Sequence, residues 1–258
     1  MRILLIRHGD PDYVQDSLTE TGKTEASLLA KRMVREKIDD FYVSPLGRAR
    51  RTAAPTLAAL NADAQELDWL QEFPDILDVN DDPLLQKAFP DTPKGEDGRF
   101  CPRIFWDQIP STWRNDPRYY SVDQIGETPP GKAGGMQAVY DRVCTEFDAL
   151  LKQYGYERDG YLYRTKQGTN QTIALFCHYG VSCVMLSHLW NVSPFVLWGG
   201  IVMAPSSVTE LYTEEREKGI AVFRATKIGD TSHLYVAGQK PSFAARFCSV
   251  YENADERH

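Results

Sequence analysis

Two histidines stand at chemically similar positions in this sequence. His8 lies between Arg7 and Gly9, and His178 directly follows the apolar run 172–177. An imidazole can act as a nucleophile or a proton acceptor, and a neighbouring guanidinium can bind phosphate through two parallel hydrogen bonds. An Arg-His-Gly tripeptide also recurs by chance, in which case the histidine only ends a strand and the arginine is solvated. The tripeptide therefore indicates an anion site only if other elements bring further groups to it.

The residues before both histidines predict short buried strands. Residues 2–6 and 172–177 are almost wholly apolar, and a third short run, 41–43, stops at Ser44. Continuous apolar runs are typical of strands covered on both faces of a parallel sheet. Parallel strands end at one edge of the sheet, where open α/β folds build their sites. We therefore expect the two imidazoles to meet at that edge.

A helix is predicted over residues 46–60, directly after Ser44. The start of a helix attracts anions through its free N–H groups and its dipole. Arg48 lies one turn inside this helix and can reach back over its start. Arg50 and Arg51 follow at once, so the residues alone leave three candidates for an anion-binding arginine.

The rest of the chain alternates strand-like and helical patterns. Thr19 or Thr21 can cap a helix whose apolar stripe runs to Met33. The other predicted elements are strands at 64–67, 208–212 and 221–226, a helix that opens at residues 134–136 and runs to about 153, and a helix that follows Gly180 and runs to about 190. This order predicts an α/β fold, a three-layer α/β/α arrangement with a mostly parallel central sheet.

Residues 73–135 differ from the rest of the chain. They hold nine prolines and many aromatic residues, with little regular periodicity. Disordered segments are poor in aromatic residues, so we interpret this region as an insertion with short helices. It either covers a substrate pocket or simply packs on the main body.

Composition narrows the classes of function. The chain has 258 residues, a formal net charge of −7 and no basic run, which argues against a nucleic-acid partner. No apolar run reaches the ~20 residues of a membrane helix. The five cysteines are scattered without metal-like spacing, and the first strand begins at once, leaving no room for a secretory signal. We expect a cytoplasmic protein without a membrane partner, and the oligomeric state is left open.

Several short motifs are distributed along most of the chain. They are Arg7-His8-Gly9, Leu18-Thr19-x-x-Gly22, Ser44-Pro45-Leu46-x-Arg48-Ala49 with Thr52-Ala53, Glu72, His178 with Gly180, and Asp230-Thr231-Ser232-His233-Leu234. In these motifs the chain resembles the histidine phosphatase superfamily, in its phosphoglycerate mutase-like branch. The resemblance implies a phosphoglycerate mutase-like fold, with residues 1–258 as one domain and 73–135 as an inserted cap.

The resemblance also implies a role for each matched residue. His8 would attack phosphorus and form a phosphohistidine. Arg7, Arg48 and His178 would bind the phosphoryl oxygens, with His178 also acting in catalysis. Glu72 would be the general acid that protonates the leaving oxygen. No metal or other cofactor is implied.

The acid is the least certain of these assignments. Glu66, Asp68 and Asp75 lie close to Glu72 in sequence, and Glu127 could reach a pocket from the insertion. Motif matching alone tolerates small errors of register. These four residues therefore stay open as alternatives to Glu72.

Two departures from the family pattern concern the phosphate contacts. Tyr179 stands where the family often has a second glycine, so its ring either fills the pocket floor or points away. The loop 10–13 lacks the hydroxyl residue that relatives often place there, and Gln15 or Tyr13 can substitute for the missing contact.

The function predicted from these observations is metal-independent hydrolysis of the phosphomonoester of a small phosphorylated metabolite through a phosphohistidine. A phosphoglycerate-type mutase is an alternative, although the run 69–73 does not resemble that of true mutases. A non-catalytic phosphate-binding protein on the same fold is a further alternative, because fold alone does not decide function.

Overall fold

The computed structural model describes residues 1–74, 76–242 and 248–257. The strands are β1 Arg2–Arg7, β2 Pro11–Asp12, β3 Ser17–Leu18, β4 Asp40–Val43, β5 Gln65–Glu66, β6 Glu157–Asp159, β7 Leu162–Arg164, β8 Thr172–Cys177, β9 Val208–Glu217, β10 Ile220–Asp230, β11 Ser249–Val250 and β12 Asn253–Arg257. The α-helices are α1 Glu20–Met33, α2 Gly47–Leu60, α3 Pro83–Ala88, α4 Pro110–Trp113, α5 Pro129–Gly134, α6 Met136–Gln153, α7 Tyr179–Trp190, α8 Pro194–Trp198 and α9 Ser232–Val236. Single 3-10 turns cover Asp68–Leu70, Pro117–Tyr120 and Val122–Glu127.

The chain forms two compact units. The first comprises Met1–Glu72, Leu150–Ser182 and Val202–His258, and the second comprises Phe73–Ala149 and Cys183–Ile201. The predicted insertion and the second unit begin at the same residue, but the second unit extends further along the chain. The description of residues 73–135 as a cap on a single domain stays a prediction.

An eight-stranded sheet runs through the first unit in the order β5-β4-β8-β1-β9-β10-β7-β6. The strands β5, β4, β8 and β1 are parallel, and β9, β10, β7 and β6 continue the sheet by antiparallel pairing. The predicted α/β fold is confirmed, and its three most apolar predicted strands, β1, β4 and β8, lie in the parallel part together with the short β5. The short strands β6 and β7 were not predicted.

One face of the parallel strands is covered by α1 and α2. The apolar side chains that meet there are Leu4, Ile6, Leu29, Met33, Phe41, Val43, Ala49, Ala53, Ala174 and Phe176. They stand at every second position of the strands and three or four residues apart on the helices, as the two periodicities require. This core fixes the start of α2 beside the ends of β4 and β8.

The entry into α1 also fixes the loop that follows β1. The hydroxyl of Thr19 accepts a hydrogen bond from the N–H of Gly22 at 3.1 Å, so Thr19, not Thr21, is the cap. The N–H of Thr19 donates to the carbonyl of Asp10 at 3.1 Å. A Cβ on Gly22 would overlap that same carbonyl, so only glycine allows the loop to lie this close to the helix.

The second unit is held by aromatic side chains. The ring of Phe73 lies 5.6 Å from that of Phe105 and 5.4 Å from that of Trp198, measured between centroids. Its helices α3, α4 and α5 span four to six residues each. The short helices predicted within residues 73–135 are therefore confirmed.

No helix within the described ranges combines the length and apolar character that crossing a membrane requires.

Candidate active site

The ends of β1, β4 and β8 form what we call the carboxyl edge, and they bring the two histidines together. The N–H of His8 donates to the carbonyl of Cys177 at 3.0 Å, and the N–H of Ser44 donates to that of Phe176 at 2.9 Å. The ring centroids of His8 and His178 lie 5.1 Å apart. The expected meeting of the two imidazoles is confirmed.

The tautomer of His8 follows from its hydrogen bond. Its Nδ1 lies 2.7 Å from the carbonyl oxygen of Gly9, which can only accept, so Nδ1 carries the proton. The neutral ring then has its lone pair on Nε2. Burial, and after it the charges of Arg7 and Arg48, hold the pKa of His8 well below its ordinary value of 6.5. His8 is therefore a neutral imidazole with a free nucleophilic nitrogen.

His178 is fully buried and has one unpaired nitrogen. Its Nε2 lies 2.8 Å from the hydroxyl oxygen of Ser44, which also accepts a hydrogen bond from the N–H of Leu46 at 3.3 Å. In the tautomer in which that hydroxyl donates to Nε2, the neutral ring carries its proton on Nδ1, which has no hydrogen-bond partner among the described residues. Burial, and after it the competition with His8 for a proton and the charge of Arg48, hold the pKa of His178 well below 6.5. In that tautomer, His178 offers a buried N–H donor.

Arg7 is buried at the end of β1. Its Nη1 donates to the carbonyl of Met203 at 2.5 Å, and its guanidinium carbon lies 5.7 Å from the ring centroid of Tyr179. Burial lowers its pKa, although an arginine stays charged throughout the physiological range. Of the two possibilities for Tyr179, the structure shows a buried ring packed beside Arg7.

Of the three candidate arginines on α2, Arg48 is the buried one. Arg51 is exposed, and Arg50 is exposed and paired with Glu66 at 3.1 Å. The Nε of Arg48 is buried without a hydrogen-bond partner among the described residues. Its guanidinium carbon lies 5.4 Å from the ring centroid of Tyr13.

An aspartate that sequence reasoning missed occupies the start of α2. The carboxylate of Asp16 accepts hydrogen bonds from the N–H of Gly47 at 2.5 Å and from Nη1 of Arg48 at 2.8 Å. Burial opposes ionisation there, but these donors hold the pKa of Asp16 below its ordinary value. Asp16 has a φ of 44° in an irregular loop, and no periodicity in the sequence signals its position.

Of the two substitutes proposed for the missing loop contact, the structure places one beside the site. Tyr13 lies against Arg48, as described above. The side chain of Gln15 is exposed, and the N–H of Gln15 donates to Asp12 at 3.2 Å.

Glu72 lies close to the start of α7. Its Oε1 accepts a hydrogen bond from the N–H of Val181 at 3.2 Å, and its carboxyl group lies close enough to Arg7 to interact with it electrostatically. Among the alternatives, Glu66 pairs with Arg50 and Asp68 accepts from its neighbour Gln71. Glu127 belongs to the second unit, where it pairs with Lys132, and Asp75 lies outside the described residues.

Glu25 is a second residue that sequence reasoning missed. It is fully buried on α1, and its Oε2 accepts a hydrogen bond from the N–H of Asp10 at 2.7 Å. Burial raises its pKa to about 7, and Oε1 has no hydrogen-bond partner among the described residues. A signal was present, because Glu25 stands on the stripe that includes Gly22, Ala26 and Leu29.

The Asp230–Leu234 motif reaches the site through one intermediate residue. The N–H of Ser206 donates to the carbonyl of His8 at 3.0 Å, and its hydroxyl lies 3.0 Å from Nε2 of His233. Burial lowers the pKa of His233 to about 4. This histidine therefore packs behind His8 as a neutral group.

Within the ranges that the structure describes, no group of three or more His, Cys, Asp or Glu side chains is placed to hold a metal ion.

The arrangement agrees with what comparisons with known proteins find. Residues 3–80 match the family model of the histidine phosphatase superfamily (branch 1). A probable phosphatase of Schizosaccharomyces pombe is 26% identical over 248 residues, covering 91% of this chain and 95% of that protein.

Two solved structures show the same fold. The phosphoserine phosphatase of Entamoeba histolytica, solved with phosphoserine, has a TM-score of 0.56 at 18% identity and covers 90% of this chain and 98% of its own. A mycobacterial glucosyl-3-phosphoglycerate phosphatase has a TM-score of 0.53 at 15% identity, with coverages of 89% and 99%.

Proposed function

We propose that the chain is a member of the histidine phosphatase superfamily that hydrolyses phosphoric monoesters through a phosphohistidine on His8, as the family-model match over residues 3–80 and the probable phosphatase relative support. The substrate class is a small phosphorylated metabolite, as the names of its relatives suggest. The residues that we assign to the reaction are His8, Arg7, Arg48, His178 and Glu72. No metal and no other cofactor takes part in the proposal.

One observation carries this proposal. Two buried nitrogens, Nε of Arg48 and Nδ1 of His178, lack hydrogen-bond partners among the described residues, beside a neutral His8. A buried donor left unpaired costs about 1–3 kcal/mol of stability, so native proteins rarely keep one without a use. Phosphoryl oxygens are strong acceptors and would satisfy both donors. The lone pair on Nε2 of His8 is then available to attack the phosphorus.

The first step transfers the phosphoryl group to His8. A bond forms between Nε2 and phosphorus as the bond to the leaving oxygen breaks, and Glu72 gives that oxygen a proton. The ring becomes positively charged, and the Nδ1–H bond to the carbonyl of Gly9 stabilises this charge. Arg7, Arg48 and His178 stabilise the charge spread over the phosphoryl oxygens.

The second step returns His8 to its starting state. Glu72, now a carboxylate, takes a proton from water as the water oxygen attacks phosphorus. The bond between nitrogen and phosphorus breaks, inorganic phosphate leaves, and the protonated acid and the neutral imidazole are restored. In a mutase the alcohol would take the place of water, so the accessibility of this step to water separates the two activities.

The test is phosphate release from a panel of phosphomonoesters with a chelator present, comparing the wild type with His8→Ala. We expect release by the wild type and a loss of about 10⁴-fold or more in His8→Ala, because the covalent step needs the ring nitrogen. His188→Ala is the matched control, since His188 pairs with Asp148 in the second unit. Hydrolysis retained by His8→Ala would overturn the mechanism. Phosphate exchange without release would identify the mutase.

A second arm tests the acid. We expect Glu72→Gln to slow hydrolysis of alkyl phosphates by about 10²-fold or more, but that of nitrophenyl phosphate much less, because a good leaving group needs no proton. Glu66→Gln is the matched control, and its rates should stay close to those of the wild type. Equal losses on both substrates in Glu72→Gln would assign the acid to another residue.

A further inference from the structure

We propose that Asp16 is a specificity-determining residue that selects phosphomonoesters whose alcohol part carries no second negative charge near the phosphate. Its carboxylate occupies the anion-binding start of α2 beside Arg48, as an internal anion. The inference rests on the proposed function, since it names the substrate class of that same site.

The geometry makes Asp16 a fixed part of the site. α2 has no side-chain cap of its own at Leu46, and Asp16, 31 positions before Gly47, supplies the acceptor for the first N–H. Its Oδ1 also lies 3.5 Å from the N–H of Arg48 and 2.8 Å from Nη1 of that residue. A Cβ on Gly47 would overlap the carbonyl of Asp16, so the loop lies directly against the helix.

Only one of these three bonds uses the guanidinium of Arg48, because the other two come from backbone N–H groups. Nη1 is committed to Asp16, whereas the buried Nε has no partner among the described residues and is available to a phosphate oxygen. A phosphate can therefore bind while Asp16 stays in place. A second anionic group of the substrate on this side could not bind the first N–H groups of α2, because they are already bonded to Asp16. It would also lie next to the Asp16 carboxylate and be repelled by it.

The balance of charge points in the same direction. The lowered pKa values of His8 and His178 keep both histidines neutral, so the positive charge of the site comes from Arg7 and Arg48. The two negative charges of a phosphate dianion already balance the two arginines, and the carboxylate of Asp16 offsets part of the arginines' positive charge. Repulsion between like charges at a partly buried site is strong enough to favour one substrate over another.

The loop around Asp16 offers no cation to offset this repulsion. Residues 9–18 contain aspartates at positions 10, 12 and 16 and no lysine or arginine. Phosphoserine, with which the Entamoeba phosphatase was solved, carries a carboxylate close to its phosphate. The inference thus predicts that this chain and that structural neighbour differ in substrate preference.

A matched pair of substrates tests the inference. Glycerol 3-phosphate and 3-phosphoglycerate differ in a hydroxymethyl group against a carboxylate, at the same distance from the phosphate. We expect the wild type to prefer glycerol 3-phosphate. In Asp16→Asn the kcat/KM for 3-phosphoglycerate relative to glycerol 3-phosphate should rise about 5- to 10-fold, mainly through KM, because the amide keeps an acceptor for Gly47 but loses the charge.

Two control variants separate the charge of Asp16 from other effects. Asp12→Asn removes a charge in the same loop, where the Asp12 carboxylate accepts from the N–H groups of Val14 and Gln15 at 3.1 and 3.2 Å. It should leave the substrate ratio within about twofold of the wild type, since the Asp12 carboxylate is bonded to N–H groups of its own loop and not to Arg48 or the start of α2. Asp16→Glu keeps the charge and should keep the low ratio. Thermal melting of each variant verifies that it folds.

Two outcomes would overturn the inference. An equal gain on both substrates in Asp16→Asn would mean that Asp16 competes with the phosphate itself. An unchanged ratio would place the specificity elsewhere.

The ratio of the binding affinities for 3-phosphoglycerate and glycerol 3-phosphate tests this inference separately from the proposed function. Calorimetry of both ligands on His8→Ala, with and without Asp16→Asn, reads the effect of the charge without any turnover. If the wild type binds both ligands but releases no phosphate, the proposed function fails, and the affinity ratio still decides for or against Asp16.

Discussion

The same strands end in two very different edges. The amino edge, formed by the starts of β1, β4 and β8, holds two surface hollows of about 600 and 560 Å³. The carboxyl edge, formed by their ends, holds the two histidines, Arg7 and Arg48. Judged by volume alone, the amino edge would be the better candidate for a ligand site.

The hydrogen bonds favour the carboxyl edge. At the amino edge, Arg2 pairs with Glu36 at 2.9 Å and with the hydroxyl of Thr172 at 3.2 Å, and the hydroxyl of Tyr154 donates to Asp40 at 2.7 Å. At the carboxyl edge, Nε of Arg48 and Nδ1 of His178 have no such partners among the described residues. Polar groups that are hydrogen-bonded to one another stabilise the fold, whereas buried donors without a hydrogen-bond partner are available to bind a ligand. Buried hydrogen-bond donors without partners therefore identify a candidate binding site better than the volume of a surface hollow does.

The largest expected contrast between the edges is in catalysis, and two arginines test it. Arg48→Lys keeps the positive charge but loses the Nε–H and the planar fork, so we expect kcat/KM to fall about 10²- to 10³-fold. Arg2→Lys makes the same change at the amino edge and should leave kcat/KM within about twofold while lowering the melting temperature. Steady-state kinetics and thermal melting of both variants measure this. A comparable loss of activity in Arg2→Lys would break the contrast.

A second contrast concerns stability and pH, and it depends on Glu25 behind the carboxyl edge. Its pKa of about 7 in the fold lies above the ordinary 4.5, so its favourable contribution is complete below pH 4.5 and is lost as the pH rises to 7. Glu25→Gln cannot ionise. Relative to this variant, the wild type should lose about 3 kcal/mol of unfolding free energy across that window.

Urea unfolding of both proteins at several pH values between about 4 and 8 measures that difference. The histidines titrate in both proteins, so their contribution cancels in the difference. A difference that does not change with pH would mean that Glu25 has the same pKa in the folded and the unfolded protein, so that burial does not raise it.

The sequence allowed the central part of this site to be predicted for a physical reason. A strand buried on both faces leaves a clear apolar run, and the chemistry stands at its end, so Arg7, His8 and His178 could be placed by short-range pattern alone. The helix start behind the next strand pointed to Arg48, Arg50 or Arg51, and the resemblance to the family selected Arg48. Those parts of the fold that consist of long regular elements were predictable in the same way.

The parts that escaped prediction depend on contacts between distant residues. Asp16 reaches α2 from a loop with positive φ, and no periodicity marks such a residue. Glu25 did leave a signal, a carboxylate on an apolar stripe, which a closer reading of α1 would have found. The strands β6 and β7 have three residues each, too few to show an alternating pattern. Residues 183–201 join the second unit by packing, which sequence order does not reveal.

The smallest expected effect belongs to the amino edge itself. Tyr154→Phe removes the hydroxyl that donates to Asp40 at 2.7 Å and lies 2.7 Å from the hydroxyl of Tyr42. We expect the free energy of unfolding to fall by about 1 kcal/mol, because both neighbours are partly buried and lose a partner. The kcat/KM should stay within about twofold, since this edge only supports the sheet. Chemical denaturation and steady-state kinetics of the one variant give both values. A large loss of activity at unchanged stability would make the hollow at the amino edge a functional site and would reverse the comparison between the two edges.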